Sequence, residues 1–172
     1  MKRFLTVVLA MSISLGAAGC GDAIDAGVQE IGSLLSKDVE GEVGSTYRTE
    51  WFDFTINTLE LQDEYKGETA EDGYQYAVAN VTTKNTWDGD EEIPMGTFDF
   101  YLYTDNQEEA IFPEYAWDDI MMPEEYFLQP EEEATYDAVF LVPAEASAAY
   151  FVYLEIDEYD STGAEFKILK EF

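Results

Sequence analysis

The stretch YAVANVTTKNTWDGDEEIP, residues 76–94, decides the fold, because it joins a strand pattern to an acidic turn. Its first half alternates Tyr76 and Val78 with Ala77 and Ala79, the period of two that is typical of a β-strand. Its second half places four acids around one glycine: Asp88, Asp90, Glu91 and Glu92. This run is either the solvated bend between two strands or a calcium site, and the strand pattern alone does not decide between them.

The same period of two continues through the chain after Thr46. Phe52, Phe54 and Ile56 alternate with polar residues, and the apolar phase then slips to Leu59 and Leu61, which predicts a bulge or bend. The remaining predicted strands cover residues 74–81, 98–103, 139–142, 150–156 and 164–169. Turn signals separate them: Asp72-Gly73, Asp88-Gly89, Asp105-Asn106 and Thr162-Gly163. Seven or eight short strands at this spacing predict an all-β protein, an antiparallel β-sandwich.

The composition supports a packed domain and limits its chemistry. Hydrophobic residues make up 47% of the 172 residues, which is enough to build a core. The formal net charge of −30 repels phosphate backbones, so no nucleic-acid partner is expected. The chain has no histidine, which removes Ser-His-Asp triads and histidine-based zinc sites. Because chance alone brings carboxylates together among 38 acids, neither an enzymatic activity nor a resident cofactor is expected.

The N-terminus predicts a bacterial lipoprotein. Two basic residues precede an apolar run of about a dozen residues, shorter than the roughly 20 needed to span a bilayer, and this fits a signal peptide. Ala17-Ala18-Gly19-Cys20 resembles a lipobox, which implies diacylation of Cys20. The predicted organisation is a signal peptide at 1–19, a lipidated tether at 20–45 and the sandwich at 46–172. A short amphipathic helix is predicted in the tether from four apolar residues: Ile24, Val28, Ile31 and Leu35.

The segment 113–130 interrupts the strand pattern. It is long for a sandwich connection, and long loops in compact domains are often functional. Methionine and aromatic side chains form adaptable binding surfaces, and the segment offers five as candidate ligand-binding residues: Tyr115, Trp117, Met121, Met122 and Tyr126. The alternative is that the segment caps an open end of the sandwich. Trp87 is a further candidate for stacking against a ligand.

The acidic run was tested against the requirements of calcium sites. Asp88, Asp90 and Glu92 match the first three ligand positions of an EF-hand. The position of the obligatory glycine is Ile93, and the last ligand position is Asp99 instead of glutamate, so the EF-hand interpretation fails. A looser calcium site at one end of the sandwich remains a hypothesis, with Asp88, Asp90, Glu91 and Glu92 as its ligands. Tyr136-Asp137 and residues 157–161 are the segments that could complete it.

Four motifs in order resemble a known family: Lys84-Asn85-Thr86, Phe100-Tyr101-Leu102, Pro130-Glu131-Glu132 and Phe140-Leu141-Val142-Pro143. The chain resembles the telokin-like, immunoglobulin-like domains of unknown function in bacterial surface lipoproteins, over residues 51–156. The resemblance implies an immunoglobulin-like sandwich and a binding or interaction module at the cell surface, with no catalytic residues to transfer. One departure stands out, since Glu131 occupies the place of the family's glycine.

The sequence therefore predicts a lipid-anchored, extracytoplasmic, non-catalytic binding module. Its expected partners are the membrane, through the anchor at Cys20, and a basic protein or peptide attracted by the negative charge. Capture of a carbohydrate or peptide by aromatic residues and pairing through an exposed strand edge are further hypotheses. The alternative function is calcium-dependent surface adhesion or solute binding.

Overall fold

A computed structural model describes residues 38–156 and 162–172 of the chain. The predicted signal peptide, Cys20 and the helical part of the tether lie outside these residues, as does the acidic run 157–161. The strands are β1 (Val39–Glu42), β2 (Thr46–Arg48), β3 (Phe52–Gln62), β4 (Glu64–Tyr65), β5 (Glu68–Thr69), β6 (Tyr74–Asn85), β7 (Ile93–Met95), β8 (Phe100–Thr104), β9 (Gln107–Ile111), β10 (Tyr126–Leu128), β11 (Glu133–Pro143), β12 (Ala148–Ile156) and β13 (Thr162–Glu171). The prediction of an all-β sandwich is confirmed.

Two sheets form the sandwich, in the orders β11-β6-β3-β2 and β1-β13-β12-β8-β9. Two short ribbons, β7 with β10 and β4 with β5, accompany them. All pairs within the four-stranded sheet are antiparallel. In the five-stranded sheet, β1 runs parallel to β13, which differs from the purely antiparallel arrangement that was expected. Since β1 lies within residues 20–45, the sandwich begins before the predicted boundary at Thr46.

The core lies between the inner faces of the two sheets, where period-two alternation directs apolar side chains inward. Phe54 is fully buried at its centre, and its ring lies 5.3 to 6.0 Å from five others: Tyr47, Phe52, Phe100, Tyr153 and Phe166. Gly41 allows this packing at the edge, because a Cβ there would lie 2.0 Å from the Tyr47 hydroxyl. That hydroxyl donates a 2.7 Å hydrogen bond to the Glu42 carbonyl and so ties β1 to the core.

The predicted bulge in β3 is confirmed. The register of β3 against β6 shifts between Ile56 and Thr58, and Leu59 is buried again after it. Asn57, the extra residue, is exposed, and its amide donates to Asn80 Oδ1 at 2.9 Å and Thr82 Oγ1 at 2.8 Å. The bulge thus keeps apolar residues on the core face along the whole of a long strand.

Two strand boundaries differ from the prediction. Phe98 lies in a 3-10 turn, Thr97–Asp99, and not in a strand, because the Asp99 carboxylate accepts a hydrogen bond from the Gly96 N–H and closes the turn. Thr162 and Gly163 belong to β13 and do not form the turn that was predicted there.

The long segment 113–130 covers an open sheet edge. The N–H of Glu114 donates to the Val139 carbonyl at 2.7 Å, and the N–H of Met122 donates to the Asp137 carbonyl at 2.9 Å. The Asp137 N–H in turn donates to the Ile120 carbonyl at 2.8 Å. These bonds satisfy part of the outer edge of β11, which would otherwise be open to pairing with another chain.

Glu131 holds a backbone conformation that favours glycine. Its φ is 64°, in the left-handed region, at the turn where the telokin-like family carries glycine. Two bonds hold the turn in place: the Glu131 N–H donates to the Asn85 carbonyl at 3.1 Å, and Lys84 Nζ pairs with its carboxylate at 2.7 Å.

We expect Glu131→Gly to unfold at higher denaturant concentration than Glu131→Ala. Both variants lose the Lys84 pair, but only glycine relieves the left-handed strain, which is worth about 1 kcal/mol for a single residue. Equilibrium denaturation of the two variants and of the wild-type chain measures the difference. Equal stabilities of the glycine and alanine variants would contradict the proposed strain.

A cleft at one end of the sandwich

A cleft of about 420 Å³ opens where β3 begins, β6 ends and β8 begins. The antiparallel pairing of β3 with β6 puts these two ends together, and in the other sheet the start of β8 lies opposite Tyr153, which also lines the cleft. Its lining combines aromatic, aliphatic and acidic residues: Trp51, Phe52, Trp87, Glu91, Glu92, Ile93, Pro94, Met95, Asp99 and Tyr153. Phe52, Ile93, Met95 and Tyr153 are buried, whereas the two tryptophans are half-buried and Glu91 and Glu92 are exposed.

The two tryptophans stack against each other. Their ring centroids lie 4.3 Å apart with the planes inclined by 23°. Trp51 is fixed by Thr49, whose hydroxyl oxygen accepts hydrogen bonds from the N–H groups of Trp51, at 3.1 Å, and Phe52, at 3.0 Å. Because β3 and β6 pair with Phe52 opposite Asn85, residues just beyond the two strand ends are brought together.

Asn85 fixes the other tryptophan and the rim of the cleft. Its side chain is fully buried at the end of β6. Its Oδ1 accepts a hydrogen bond from the Trp87 N–H at 3.0 Å, and its Nδ2 donates to the carbonyls of Leu128, at 2.9 Å, and Glu91, at 3.2 Å. One amide therefore joins β6, the acidic linker and β10.

Gly89 leaves the space that the indole ring of Trp87 occupies. A Cβ at this position would lie 2.2 Å from the indole Nε1 of Trp87, and an indole is too rigid to yield. The glycine of the acidic run is therefore needed for space beside the ring, whereas the sequence suggested only a turn.

Three carboxylates belong to the lining: Glu91, Glu92 and Asp99. Glu92 accepts a hydrogen bond from the Gln129 amide, and Asp99 accepts one from the Gly96 N–H at 2.7 Å. Desolvation raises the pKa of Asp99, and the bond from Gly96 opposes that rise. None of the basic residues in the described ranges lines the cleft.

Tyr153 presents a neutral hydroxyl to this site. The side chain is only 8% exposed, and no hydrogen bond to its hydroxyl is seen among residues 38–156 and 162–172. No fully buried side-chain nitrogen or oxygen in these residues lacks a partner, so this hydroxyl is not a buried, unsatisfied group. Burial, together with the charges of Glu155 and Asp99, raises the pKa of Tyr153, so the phenol stays protonated.

The candidate calcium ligands divide between the cleft and the solvent. Glu91 and Glu92 line the cleft, whereas Asp88 and Asp90 are exposed outside its lining. Within the described ranges, no group of three or more carboxylates is arranged to hold a metal ion. Asp137 is engaged elsewhere, since it accepts hydrogen bonds from Tyr65 at 2.8 Å and Asn80 at 2.7 Å. Residues 157–161 lie outside the described ranges, so the calcium hypothesis stays a prediction.

The candidate residues of segment 113–130 do not share one surface. Met122 is buried in the main core, and Met121 is buried in a second cluster on the outer face of β6 and β11. Tyr126 points its hydroxyl to Thr83 Oγ1 at 2.9 Å. Trp117 packs on Tyr65 and Tyr76, and the 64% exposed Tyr115 packs on Phe98. Burial thus removes both methionines from the adaptable surface that the sequence suggested.

Sequence reasoning named Trp87 but missed Trp51 and Tyr153. A usable signal exists in the pairing of the two strands, because a register placing Phe52 opposite Asn85 brings Trp51 close to Trp87. No such signal exists for Tyr153, which belongs to the other sheet.

Three solved structures share the fold of this chain. The ycdA protein of Bacillus subtilis, described as a candidate lipoprotein, has a TM-score of 0.58 at 14% identity, over 73% of this chain and 38% of that one. The yjhA protein of Bacillus subtilis has a TM-score of 0.52 at 15% identity, over 74% and 98% of the two chains. An uncharacterised β-sandwich protein of Clostridium difficile has a TM-score of 0.53 at 15% identity, over 78% and 95%.

At these identities the likeness concerns the fold alone, and this chain spans well under half of the ycdA protein. No known family and no curated protein matches the sequence, so membership of the telokin-like family stays a prediction. In residues 38–156 and 162–172, no helix has the length and apolarity needed to cross a bilayer.

We expect Asn85→Ala to lower the free energy of unfolding by about 3 kcal/mol, because it leaves the buried Leu128 carbonyl and two part-buried backbone groups without their partner. Asn57→Ala is the matched control, since its amide also donates twice but at an exposed position, and we expect a loss below about 1 kcal/mol. Denaturant unfolding of both variants tests this. Similar losses in the two variants would show that the buried amide of Asn85 stabilises the fold no more than the exposed amide of Asn57 does.

Proposed function

We propose that this chain is a lipid-anchored, extracytoplasmic and non-catalytic binding module, and that the cleft beside Trp51 and Trp87 holds its ligand. The observation that carries the proposal is a stacked tryptophan pair in a cleft that Tyr153 and three carboxylates also line. Aromatic faces with a few polar groups converging on them are the usual composition of a ligand site. The cleft volume of about 420 Å³ also lies in the usual range.

The sequence and one structural neighbour support the anchoring. The single cysteine, Cys20, stands at the end of a signal-like segment, where lipidation requires it. The fold is shared with a candidate lipoprotein of Bacillus subtilis. Two acyl chains on such a cysteine give a stable anchor, whereas a single chain gives only marginal membrane binding.

A binding role agrees better with the cleft than catalysis does. The chain has no histidine and its one cysteine lies at position 20, so the most common nucleophile and base pairs cannot form. The carboxylates of the cleft are tied to an amide, at Glu92, and to a backbone N–H, at Asp99. These bonds position acceptors for a ligand without supplying a nucleophile.

The anchor is tested by Cys20→Ala. When the chain is expressed with its own N-terminus in a bacterium, we expect the wild type in the detergent phase of a phase-separation extraction and the variant in the aqueous phase. Metabolic labelling with a fatty acid should mark the wild type only. Unchanged partitioning and labelling of the variant would remove the lipoprotein assignment.

The cleft is tested by ¹⁹F NMR on the full chain labelled with 5-fluorotryptophan, in a neutral detergent. The chain has three tryptophans, so three signals are expected, and Trp117 serves as an internal control because it packs elsewhere. A panel of neutral sugars, organic cations and organic anions is added in turn. We expect at least one class to move the signals of Trp51 and Trp87 while that of Trp117 stays in place.

Gly89→Ala provides a second control for the same experiment. It keeps the net charge but displaces the Trp87 ring, so we expect it to weaken the response to whichever class binds. A panel in which no class moves the signals of Trp51 and Trp87 would refute the cleft as a binding site.

A further inference from the structure

We propose that the cleft takes an organic cation, namely the guanidinium or alkylammonium group of an arginine or lysine side chain on a basic peptide or protein partner. This inference rests on the proposed function and adds to it the chemical class of the ligand. It depends on three features of the lining: the uncompensated carboxylates, the tryptophan pair and the neutral phenol.

The charge of the cleft is negative and unbalanced. Glu91, Glu92 and Asp99 all belong to the lining, which contains no lysine or arginine. Three of the basic residues in the described ranges are engaged in ion pairs with acids outside the lining: Arg48 with Asp53, Lys84 with Glu131 and Lys167 with Glu165. A cation in the cleft would relieve the repulsion among its carboxylates, which an anion would increase.

The tryptophan pair suits the same ligand. A cation is attracted to the negative face of an aromatic ring, and tryptophan gives the strongest such attraction. Trp51 and Trp87 hold each other in place through their stack, and the Gly89 backbone lies against Trp87, so little side-chain freedom remains to be lost when a ligand binds. Guanidinium adds a planar surface that itself stacks on aromatic faces.

Tyr153, which also lines the cleft, offers a neutral hydroxyl as an acceptor. Its oxygen retains lone pairs for a donor, and a guanidinium or ammonium group carries only donors. An N–H of the ligand could therefore donate to the phenol oxygen and remain close to the carboxylates of the lining.

The net charge of the whole chain also favours a basic partner, through long-range electrostatic attraction. Its net charge of −30 would steer cationic partners toward its surface and disfavour anionic ones. Long-range attraction alone, however, would act at any acidic position. The proposal therefore requires that the cleft bind a cation better than other acidic surfaces of the same chain do.

The experiment compares two short peptides on the ¹⁹F-labelled full chain: acetyl-Gly-Arg-Gly-amide and the same peptide with citrulline, which has the shape of arginine without its charge. We expect the arginine peptide to shift the signals of Trp51 and Trp87 with at least tenfold higher affinity, and Trp117 to stay unchanged. We expect raising the salt from about 50 to about 500 mM to weaken the arginine peptide several-fold.

Charge-matched variants separate local contact from the general field. The double variant Glu91→Gln with Glu92→Gln removes two charges at the cleft, and Glu108→Gln with Glu109→Gln removes two from the exposed strand β9. We expect the first pair to lower the affinity for the arginine peptide about fivefold or more, and the second to change it less than twofold. Tyr153→Phe should weaken binding without changing the net charge.

The results separate two failures: that the ligand is not a cation, and that the cleft does not bind a ligand. Equal shifts by the citrulline and arginine peptides, or shifts by a neutral sugar alone, would overturn the cation assignment and leave the cleft as a binding site. Equal losses in the two charge-matched variants would also overturn it, since the attraction would then be general. If no probe moved the two tryptophan signals, the proposed function itself would fail.

Discussion

The buried amide of Asn85 is the interaction on which this end of the molecule depends. The bonds that it makes join the end of β6, the linker that follows and β10. The linker is acidic and short of apolar residues, so hydrophobic burial alone cannot fix its path. A single satisfied side chain does so instead, and the tryptophan stack and the carboxylate rim follow from it.

Much of the sandwich could be predicted from sequence, because a half-buried strand must alternate. The alternation over residues 52–56 predicted strand β3, and the slip to Leu59 predicted its irregularity. Pro143 ends β11 as expected. Boundaries were less accessible, since the side-chain bond from Gly96 to Asp99 turns Phe98 out of the strand. β1 escaped prediction because four residues are too few for a periodic signal, and its place depends on the distant Tyr47.

The cleft was only partly predictable, since it is assembled from residues far apart in sequence. Trp87 and the acids beside it stand together in the chain, and they were recognised as notable. Trp51 meets them only through the register of β3 with β6, and Tyr153 only through the packing of the two sheets. The methionines of the long segment illustrate the opposite error, because a composition typical of a binding surface here belongs to a core. The sequence shows which residues could form a site, whereas tertiary packing decides which of them come together.

The parallel pairing of β1 with β13 shows at which end of the sandwich the chain enters the domain. Val39 lies opposite Phe166, which lies opposite Tyr153, so the chain enters the sheet at the level of the cleft and then runs away from it. About eighteen residues separate Cys20 from this point, a reach of no more than roughly 60 Å when fully extended. If Cys20 carries the lipid, the tether enters the domain at the end that holds the cleft. A bound partner would then be held near the lipid headgroups, at a distance from the bilayer that the length of the tether limits.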